Sequence, residues 1–359
     1  MSLELVKLSQ ITIDTRIIKY YSYPEDSTIL YAIDSFGNRN KINFHESKIV
    51  QVDKISNDLI HQIIINDKKN IIVSIHFKKN YRGANITTPK VTKFDATDEK
   101  DAQINEYTLD YSPESLEIDD DNVYIGDQNG NINIHELKTM KKINVIEVNN
   151  SIPVRQMIIM DNYSKILIRD GINIHLFNLA DFTLIKSDSF DYYSLMLFAE
   201  KNDDKYMMSY RNFNDIFSAF SWFDMDGIKI TDVYSKVITY DFIVMQSMDT
   251  ILLKNHANDW YSSDLTNVSY DNRTGTSNLM EKRENYLDGA NLSKLTDNII
   301  IAEKKDEIEF WTTKPYAAEL RKEAFLLGTI SNASPINQSY KSNWMYESKL
   351  NKLILEYLP

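Results

Sequence analysis

The sequence predicts an all-β chain that folds as a single closed β-propeller over residues 1–359, with seven or eight four-stranded blades. A short apolar strand recurs along almost the whole chain, and its copies start 40 to 54 residues apart. A second recurring strand follows most of these copies and ends in an aromatic or histidine side chain. Repeats of this length, built from several short strands, are typical of propeller blades.

The unit that shows this pattern most clearly runs from Ser115 to Leu137. It reads as a strand, an acidic turn, a strand, an Asn-Gly turn and a strand. Asn129-Gly130 offers the positive-φ residues that a tight hairpin requires. Ile132 and Ile134 alternate with polar residues, as expected for a half-buried strand.

The recurring apolar strand is interpreted as the second strand of each unit. Each copy is a run of β-branched, Leu, Met or aromatic residues after a polar turn. The copies begin at Ser27, Asn70, Asn122, Lys165, Lys205, Thr250, Asn298 and Lys352.

The other recurring strand is interpreted as the third strand, and it ends in a characteristic residue pair. The pairs are His45-Glu46, Phe94-Asp95, His135-Glu136, Phe177-Asn178, Phe223-Asp224 and Trp311-Thr312. In this respect the chain resembles the WD40-repeat family, whose blades carry Trp-Asp at the equivalent place. The Gly-His pair of ideal repeats and a literal Trp-Asp dipeptide are both absent from the sequence. Seven blades is the commoner number in that family, whereas the eight second-strand copies favour eight.

The two ends of the chain are expected to complete one blade together. The N-terminal stretch Leu3–Ile13 has no unit before it, and the last unit, Ser342–Leu358, lacks a following strand. Pairing them would remove the free edges that an open sheet leaves exposed. We also expect long surface loops at about 78–103 and 268–291, because both segments are polar and lack apolar periodicity, and a short helical insert at about 316–327, where apolar residues have helical spacing.

Composition narrows the classes of function. The net charge of −12 argues against a broad cationic surface for nucleic acid. The absence of cysteine excludes disulfides and thiolate chemistry. No apolar run of 18 residues and no signal peptide are found, so neither a membrane span nor export is expected. We expect an intracellular protein, cytoplasmic or nuclear.

No catalytic, cofactor-binding or metal-binding motif emerges. The six histidines show no HExxH or His-x-His spacing, and the nine glycines form no phosphate-binding loop. His135 is interpreted as a packing residue between blades, and Asp119–Asp121 as a turn in which Asp bonds its own backbone. The sequence therefore indicates no catalytic residue, no cofactor and no metal.

We expect partner binding at Tyr and Arg side chains near the inner strands or in loops, because these side chains commonly anchor protein interfaces. They are Tyr20, Tyr21, Tyr23, Arg82, Arg155, Tyr192 and Tyr193.

These features favour a non-catalytic protein-interaction scaffold, a subunit of an intracellular multiprotein complex whose partners are other proteins. Direct nucleic-acid binding and a small-molecule ligand are not indicated. One alternative is an accessory subunit of an RNA-modifying or RNA-processing enzyme. Another is an enzyme or small-ligand binder in the central channel, which would require His, Asp and Arg side chains to converge from different blades.

Overall fold

The architecture comes from a computed structural model that describes residues 5–313 apart from short segments within that range. Those segments are 14, 24–25, 44–47, 57–58, 67–70, 77–87, 96–102, 149–150, 161–163, 172, 190–196, 199–204, 211–217, 225–228, 236–240, 246–249, 256, 265–267, 272–275, 280–281, 297–298 and 305–306.

The described chain is built from short antiparallel strands grouped into sheets that follow one another in sequence. It begins with β1 (Leu5–Thr12). Sheet I contains β2 (Ile17–Tyr23), β3 (Asp26–Asp34), β4 (Asn38–Asn43) and β5 (Lys48–Lys54). Sheet II contains β6 (Ile60–Asn66), β7 (Ile71–His76), β8 (Lys90–Asp95) and β9 (Gln103–Thr108). Sheet III contains β10 (Pro113–Ile118), β11 (Asn122–Asp127), β12 (Asn131–Glu136) and β13 (Lys142–Glu147).

The remaining sheets follow in the same way. Sheet IV contains β14 (Val154–Met160), β15 (Lys165–Asp170), β16 (Asn173–Asn178) and β17 (Leu184–Ser189). Sheet V contains β18 (Leu197–Phe198), β19 (Lys205–Tyr210), β20 (Ser218–Asp224), β21 (Lys229–Ser235), β25 (Val268–Asp271) and β26 (Thr276–Leu279). Sheet VI contains β22 (Asp241–Met245), β23 (Thr250–Lys254), β24 (Trp260–Asp264) and β27 (Lys282–Arg283). Sheet VII contains β28 (Asn291–Thr296), β29 (Ile299–Lys304), β30 (Glu307–Thr313) and β1.

The number of four-stranded blades differs from the prediction. Within the described part of the chain six sheets have this form, rather than seven or eight. Sheet V is larger, with six strands in the order β18-β19-β20-β21-β26-β25. It differs because β26 adds to the outer edge of β21 through a parallel pairing of Tyr234 with Asn278. The eighth second-strand copy, from Lys352, lies outside the described residues.

Contacts between first strands give the fold its propeller geometry. β22 contacts β28, β28 contacts β2, β2 contacts β6, β6 contacts β10, and β10 contacts β14. These contacts join the four-stranded sheets in the order VI, VII, I, II, III, IV, with their first strands on the inside. The all-β propeller with four-stranded blades that the repeat predicts is therefore present.

The core lies in the gaps between successive sheets of this arc. The second strands alternate their side chains between two gaps. Ile72 of β7 packs with Ile33 between sheets I and II, whereas Val73 and Ile75 pack with Val123 between sheets II and III. A strand covered on both faces needs an almost continuous apolar sequence. This is why the second strand carries the clearest repeat, and seven of its eight predicted copies are the second strands β3, β7, β11, β15, β19, β23 and β29.

The third strands also lie where the sequence places them. The pairs beginning at Phe94, His135, Phe177, Phe223 and Trp311 all fall at or near the ends of third strands. His45-Glu46 lies outside the described residues.

The N-terminal strand has a different partner from the one expected. β1 pairs antiparallel with β30, from Leu5 opposite Thr313 to Thr12 opposite Glu307. It therefore completes the sheet that begins at Asn291 and not the unit Ser342–Leu358, which lies outside the described residues. The pairing buries Ile11 in the cluster between sheets VII and I and places Lys7 Nζ 2.9 Å from Glu309 Oε1.

The predicted surface loops hold more structure than expected. Segment 268–291 contains the antiparallel hairpin β25–β26, strand β27 and a 3-10 helix, Asn285–Leu287. Polar side chains do not prevent this hairpin, because main-chain hydrogen bonds at a sheet edge need no buried face. Segment 78–103 contains β8, and its residues 78–87 and 96–102 lie outside the described residues, as does the predicted helical insert 316–327.

The turn between β11 and β12 is organised by a buried carboxylate. Asp127 Oδ1 accepts hydrogen bonds from the backbone N–H of Asn129 and Asn131, at 2.8 and 2.9 Å. Its Oδ2 accepts from the side-chain amides of Asn131 and Asn133, at 3.1 and 3.0 Å. Gly130 has the expected positive φ of 86°, but Asn129 does not. The expected positive φ is therefore present at Gly130 alone, because the carboxylate holds Asn129 in a loop built around Asp127.

The same turn recurs in sheet I. Asp34 Oδ1 accepts hydrogen bonds from the backbone N–H of Phe36 and Asn38, and Gly37 has φ 81°. The two turns share the sequence pattern Asp-x-x-Gly-Asn, which therefore marks the connection from second to third strand. The acidic turn before β11 also matches its prediction, since Asp119 Oδ1 accepts the N–H groups of Asp121 and Asn122.

Gly126 packs tightly against Val154 of sheet IV, and its substitution is expected to destabilise the protein. A Cβ atom at this position would lie 2.6 Å from Val154 Cγ1 and also against Ser115 Oγ. We expect Gly126→Ala to lower the free energy of unfolding by about 1–3 kcal/mol, because the packed gap must open. Urea denaturation checks this.

Gly289→Ala is the matched control, because this glycine has a φ of 78° but nothing within 4 Å of the added Cβ. Only backbone strain of about 1–2 kcal/mol applies there. Equal stability of the Gly126→Ala variant and the unmodified protein would contradict the close packing of sheets III and IV.

Candidate functional site

The first strands of four consecutive sheets share a backbone irregularity that sequence inspection missed. The pairing register shifts between Ile17 and Lys19, between Ile60 and Gln62, between Pro113 and Ser115, and between Val154 and Gln156. The extra residues are Ile18, His61, Glu114 and Arg155. Such bulges redirect side chains. An alignment of the four first strands would show each bulge as a triplet. The first residue is buried, the second is the variable bulge residue, and the third has a longer or polar side chain.

These strands surround a central cavity of about 300 Å³. Three of the four bulge residues, Ile18, His61 and Arg155, line it. The rest of the lining comes from the residues that follow on β6, β10 and β14. The cavity therefore lies where the inner strands of sheets I to IV meet.

The wall of the cavity is held by hydrogen bonds between neighbouring sheets. Gln62 Nε2 donates to the backbone oxygen of Glu114 at 2.8 Å, linking sheet II to sheet III. Ser115 Oγ donates to the backbone oxygen of Val154 at 2.7 Å, linking sheet III to sheet IV. Both donors directly follow a bulge. These hydrogen bonds thus hold the lining strands of sheets II, III and IV in a fixed arrangement.

Positive charge is concentrated on one side of this cavity. Arg155 is exposed and lines it, while Arg169 lies on β15 directly opposite the lining residue Gln156. Burial lowers the pKa of Arg169 below its usual range, and the nearby charge of Arg155 lowers it further. Arg169 Nε is buried and has no hydrogen-bond partner among the described residues.

The predicted partner-binding residues are spread over different environments. Tyr20 and Tyr21 are buried, with 8% and 5% of their surfaces exposed, in the clusters between sheets VII and I and between sheets I and II. Their rings serve packing, which argues against their use as interface anchors. Arg155 is the predicted residue that the structure places at the cavity.

The other candidates are not placed by the structure. Tyr23 is the last residue of β2, and the structure describes its backbone but not its side chain. Arg82, Tyr192 and Tyr193 lie outside the described residues, so their roles stay predictions.

His135 packs between sheets, as the sequence predicts. It is fully buried and contacts the ring of Tyr107 on sheet II edge-on, with centroids 5.3 Å apart. Its Nδ1 donates to the backbone oxygen of Met140 at 2.8 Å, so Nε2 accepts the hydroxyl of Tyr111 at 2.6 Å. Burial lowers the pKa of His135 below 6.5, and the charge of Lys142 acts in the same direction.

Acidification should therefore destabilise the protein through His135. The unfolded chain takes up a proton near pH 6.5, whereas the folded chain keeps this imidazole neutral to lower pH. Stability from this group is complete above pH 6.5 and decreases as the pH falls toward the folded pKa, by at most about 1.4 kcal/mol per pH unit. The free energy of unfolding, measured by urea denaturation across this pH range, should fall less steeply with decreasing pH for His135→Gln than for the unmodified protein. An unchanged slope would contradict the neutral buried imidazole.

Among the described residues, no group of three or more His, Asp or Glu side chains is placed to hold a metal ion. No helix in that part of the chain is long and apolar enough to cross a membrane. His175, which the sequence places within a strand, pairs through Nε2 with the buried Asp170 at 3.0 Å and so has a structural role.

Comparison with known proteins supports the fold. No family model and no curated protein matches the chain. Among solved structures, the chain is similar to the WD40 domain of Neurospora crassa Pan2, with a TM-score of 0.55 and 10% sequence identity. The match covers 86% of this chain and 95% of that domain.

Proposed function

We propose that this WD40-like β-propeller is a non-catalytic protein-interaction scaffold and a subunit of an intracellular multiprotein complex. The WD40 fold commonly serves as a platform for other proteins. The observation that carries the proposal is the arc of inner strands, in which hydrogen bonds from Gln62 and Ser115 link neighbouring sheets beside the exposed side chains His61 and Arg155.

The cavity lining supports a binding role over a catalytic one. Its titratable side chains in the described part of the chain are His61 and Arg155, and no carboxylate lines it. Acid–base catalysis there would pair His61 with a carboxylate or an activated nucleophile, whereas the hydroxyl in the lining, Ser115 Oγ, donates its proton to the backbone oxygen of Val154. The enzyme alternative therefore has less support, and no specific observation favours the accessory role in RNA processing.

Arg155 provides the sharpest probe of this proposal because it is exposed and lines the cavity. Chemical cross-linking in native cells, followed by mass spectrometry, should recover a stoichiometric protein partner. We expect Arg155→Glu to weaken that association by about tenfold or more, because charge reversal opposes docking at the surface around the cavity.

Lys186→Glu is the matched control, since this lysine is partly exposed on β17, the outer strand of the same sheet. It should leave the association unchanged. Recovery of the chain as a monomer without a stoichiometric partner would contradict the scaffold role.

A further inference from the structure

The central cavity has positive charge that nothing in its described surroundings neutralises. Arg155 and Arg169 form no ion pair with a carboxylate among the described residues. By contrast, Arg39 and Arg283 in the described chain each pair with an aspartate. Two arginines close together without a counter-ion are unusual, because each raises the electrostatic free energy of the other.

The backbone geometry explains why the nearest acidic bulge residue does not supply the missing charge. Glu114 occupies the bulge position of sheet III that corresponds to Arg155 in sheet IV. Its Oε1 accepts a hydrogen bond from Gln128 Nε2 at 2.8 Å. The carboxylate is thus engaged by the adjoining turn, and Arg155 faces the cavity with its donors available.

The two guanidinium groups differ in exposure. Arg155 is exposed in the cavity lining, whereas Arg169 is half-buried on β15 opposite Gln156, and its Nε has no hydrogen-bond partner among the described residues. A guanidinium group binds the two oxygens of a carboxylate or phosphate through parallel hydrogen bonds. A second positive charge on the neighbouring strand strengthens the attraction in a partly desolvated site.

We propose that the central cavity is a binding site for a small molecule bearing an oxyanion, a carboxylate or a phosphate, held by Arg155 and attracted by the charge of Arg169. The volume of about 300 Å³ is at the lower end of the range for small-molecule sites and suits a compact organic acid or phosphate ester. The net charge of −12 opposes anions at long range, so recognition must come from this local pair.

The test uses the purified full chain and two probes, inorganic phosphate and succinate, measured by isothermal titration calorimetry at constant ionic strength. We expect saturable binding of at least one probe. Phosphate binding alone identifies a phosphate site, succinate binding alone a carboxylate site, and binding of both a general oxyanion site. Absence of saturable binding for both probes would overturn the proposal.

Variants separate site binding from general salt effects, since phosphate stabilises many proteins without a specific site. Arg155→Gln should weaken binding by about tenfold or more, because a charge-assisted pair of hydrogen bonds is lost. Arg155 is exposed, so this variant should fold, which circular dichroism checks. Lys186→Gln removes one charge from the outer strand of the same sheet and should bind like the unmodified chain. Equal affinity of the Arg155→Gln variant and the unmodified chain, or an equal loss in the Lys186→Gln variant, would refute the site.

This outcome is independent of the scaffold role. Anion binding without a protein partner would support the oxyanion site and contradict the scaffold role. A protein partner without anion binding would support the scaffold role and contradict the oxyanion site.

Discussion

Replacing Trp260 with alanine should lower the free energy of unfolding by about 3–5 kcal/mol. Trp260 is the largest fully buried side chain of the described residues, and it lies in the gap between sheets VI and VII with Leu252 and Ile300. Its Nε1 donates to the backbone oxygen of Ala290 at 2.9 Å. The substitution leaves both a cavity and an unpaired carbonyl. This loss is a large part of the total stability of about 5–15 kcal/mol that is usual for a protein.

Two further variants make the Trp260 prediction specific. Trp260→Phe keeps most of the ring volume but loses the donor to Ala290, so we expect a smaller loss of about 1–3 kcal/mol. Phe36→Ala removes an aromatic side chain that is 54% exposed and should change stability by no more than about 0.5 kcal/mol. Urea denaturation measures all three. A Trp260→Ala variant as stable as the Phe36→Ala variant would contradict the packing of sheets VI and VII.

Replacing Asp127 with alanine should destabilise the protein by about 3–5 kcal/mol. The buried carboxylate accepts four hydrogen bonds, two from backbone N–H groups and two from side-chain amides. Removing it leaves these donors without their acceptor at the turn between β11 and β12. Thermal and urea denaturation give the size of the effect.

Asp127→Asn tests the same turn more gently. The amide oxygen replaces Oδ1, but an NH₂ group then faces the amide donors of Asn131 and Asn133, so an intermediate loss of about 2 kcal/mol is expected. Asp188→Ala on the outer strand β17, where the carboxylate is 45% exposed, should have little effect. A loss at Asp127 no larger than at Asp188 would show that the carboxylate does not hold the turn.

The parts of the fold that could be predicted from sequence are those that repeat as a chemical pattern. The second strands are covered on both faces, so runs such as Ile71–His76 are apolar in almost every copy. The residue pairs at the ends of the third strands could be recognised for the same reason, since His135 and Phe94 must fill space between sheets.

The features that were missed depend on backbone pairing rather than on composition. The partner of β1 could not be deduced, because the apolar copy near Lys352 offered a strand of similar character to β30. The hairpin β25–β26 is polar and lies at the edge of a sheet, where no buried face imposes a pattern. A bulge adds one residue without changing the spacing of the apolar residues. The sequence therefore allowed Arg155 to be proposed as a partner-binding residue, but it did not show that Arg155 lies at a bulge.

The candidate site follows from these bulges. Tyr20 and Tyr21 are aromatic and lie on an inner strand, which predicts interface anchors, but the regular alternation of β2 places their side chains in two adjacent gaps between sheets. Side chains at irregular positions, by contrast, are released from that alternation. His61 and Arg155 line the cavity for this reason, and function is expected where the repeat is locally broken.

The pairing of β1 with β30 tests the propeller arrangement most directly, because it joins residues about 300 positions apart in the sequence. The chain has no cysteine, so Thr12→Cys and Glu307→Cys can be introduced together without competing thiols. These residues lie directly opposite each other, and facing positions on antiparallel strands have a Cβ separation of about 5 Å, close to what a disulfide requires. Under mild oxidation the pair should form an intramolecular disulfide, identified by mass spectrometry of the linked peptides. A control pair, Thr12→Cys with Lys186→Cys on sheet IV, should not. Failure of the first pair to cross-link within one chain, while the protein remains folded, would contradict the arrangement.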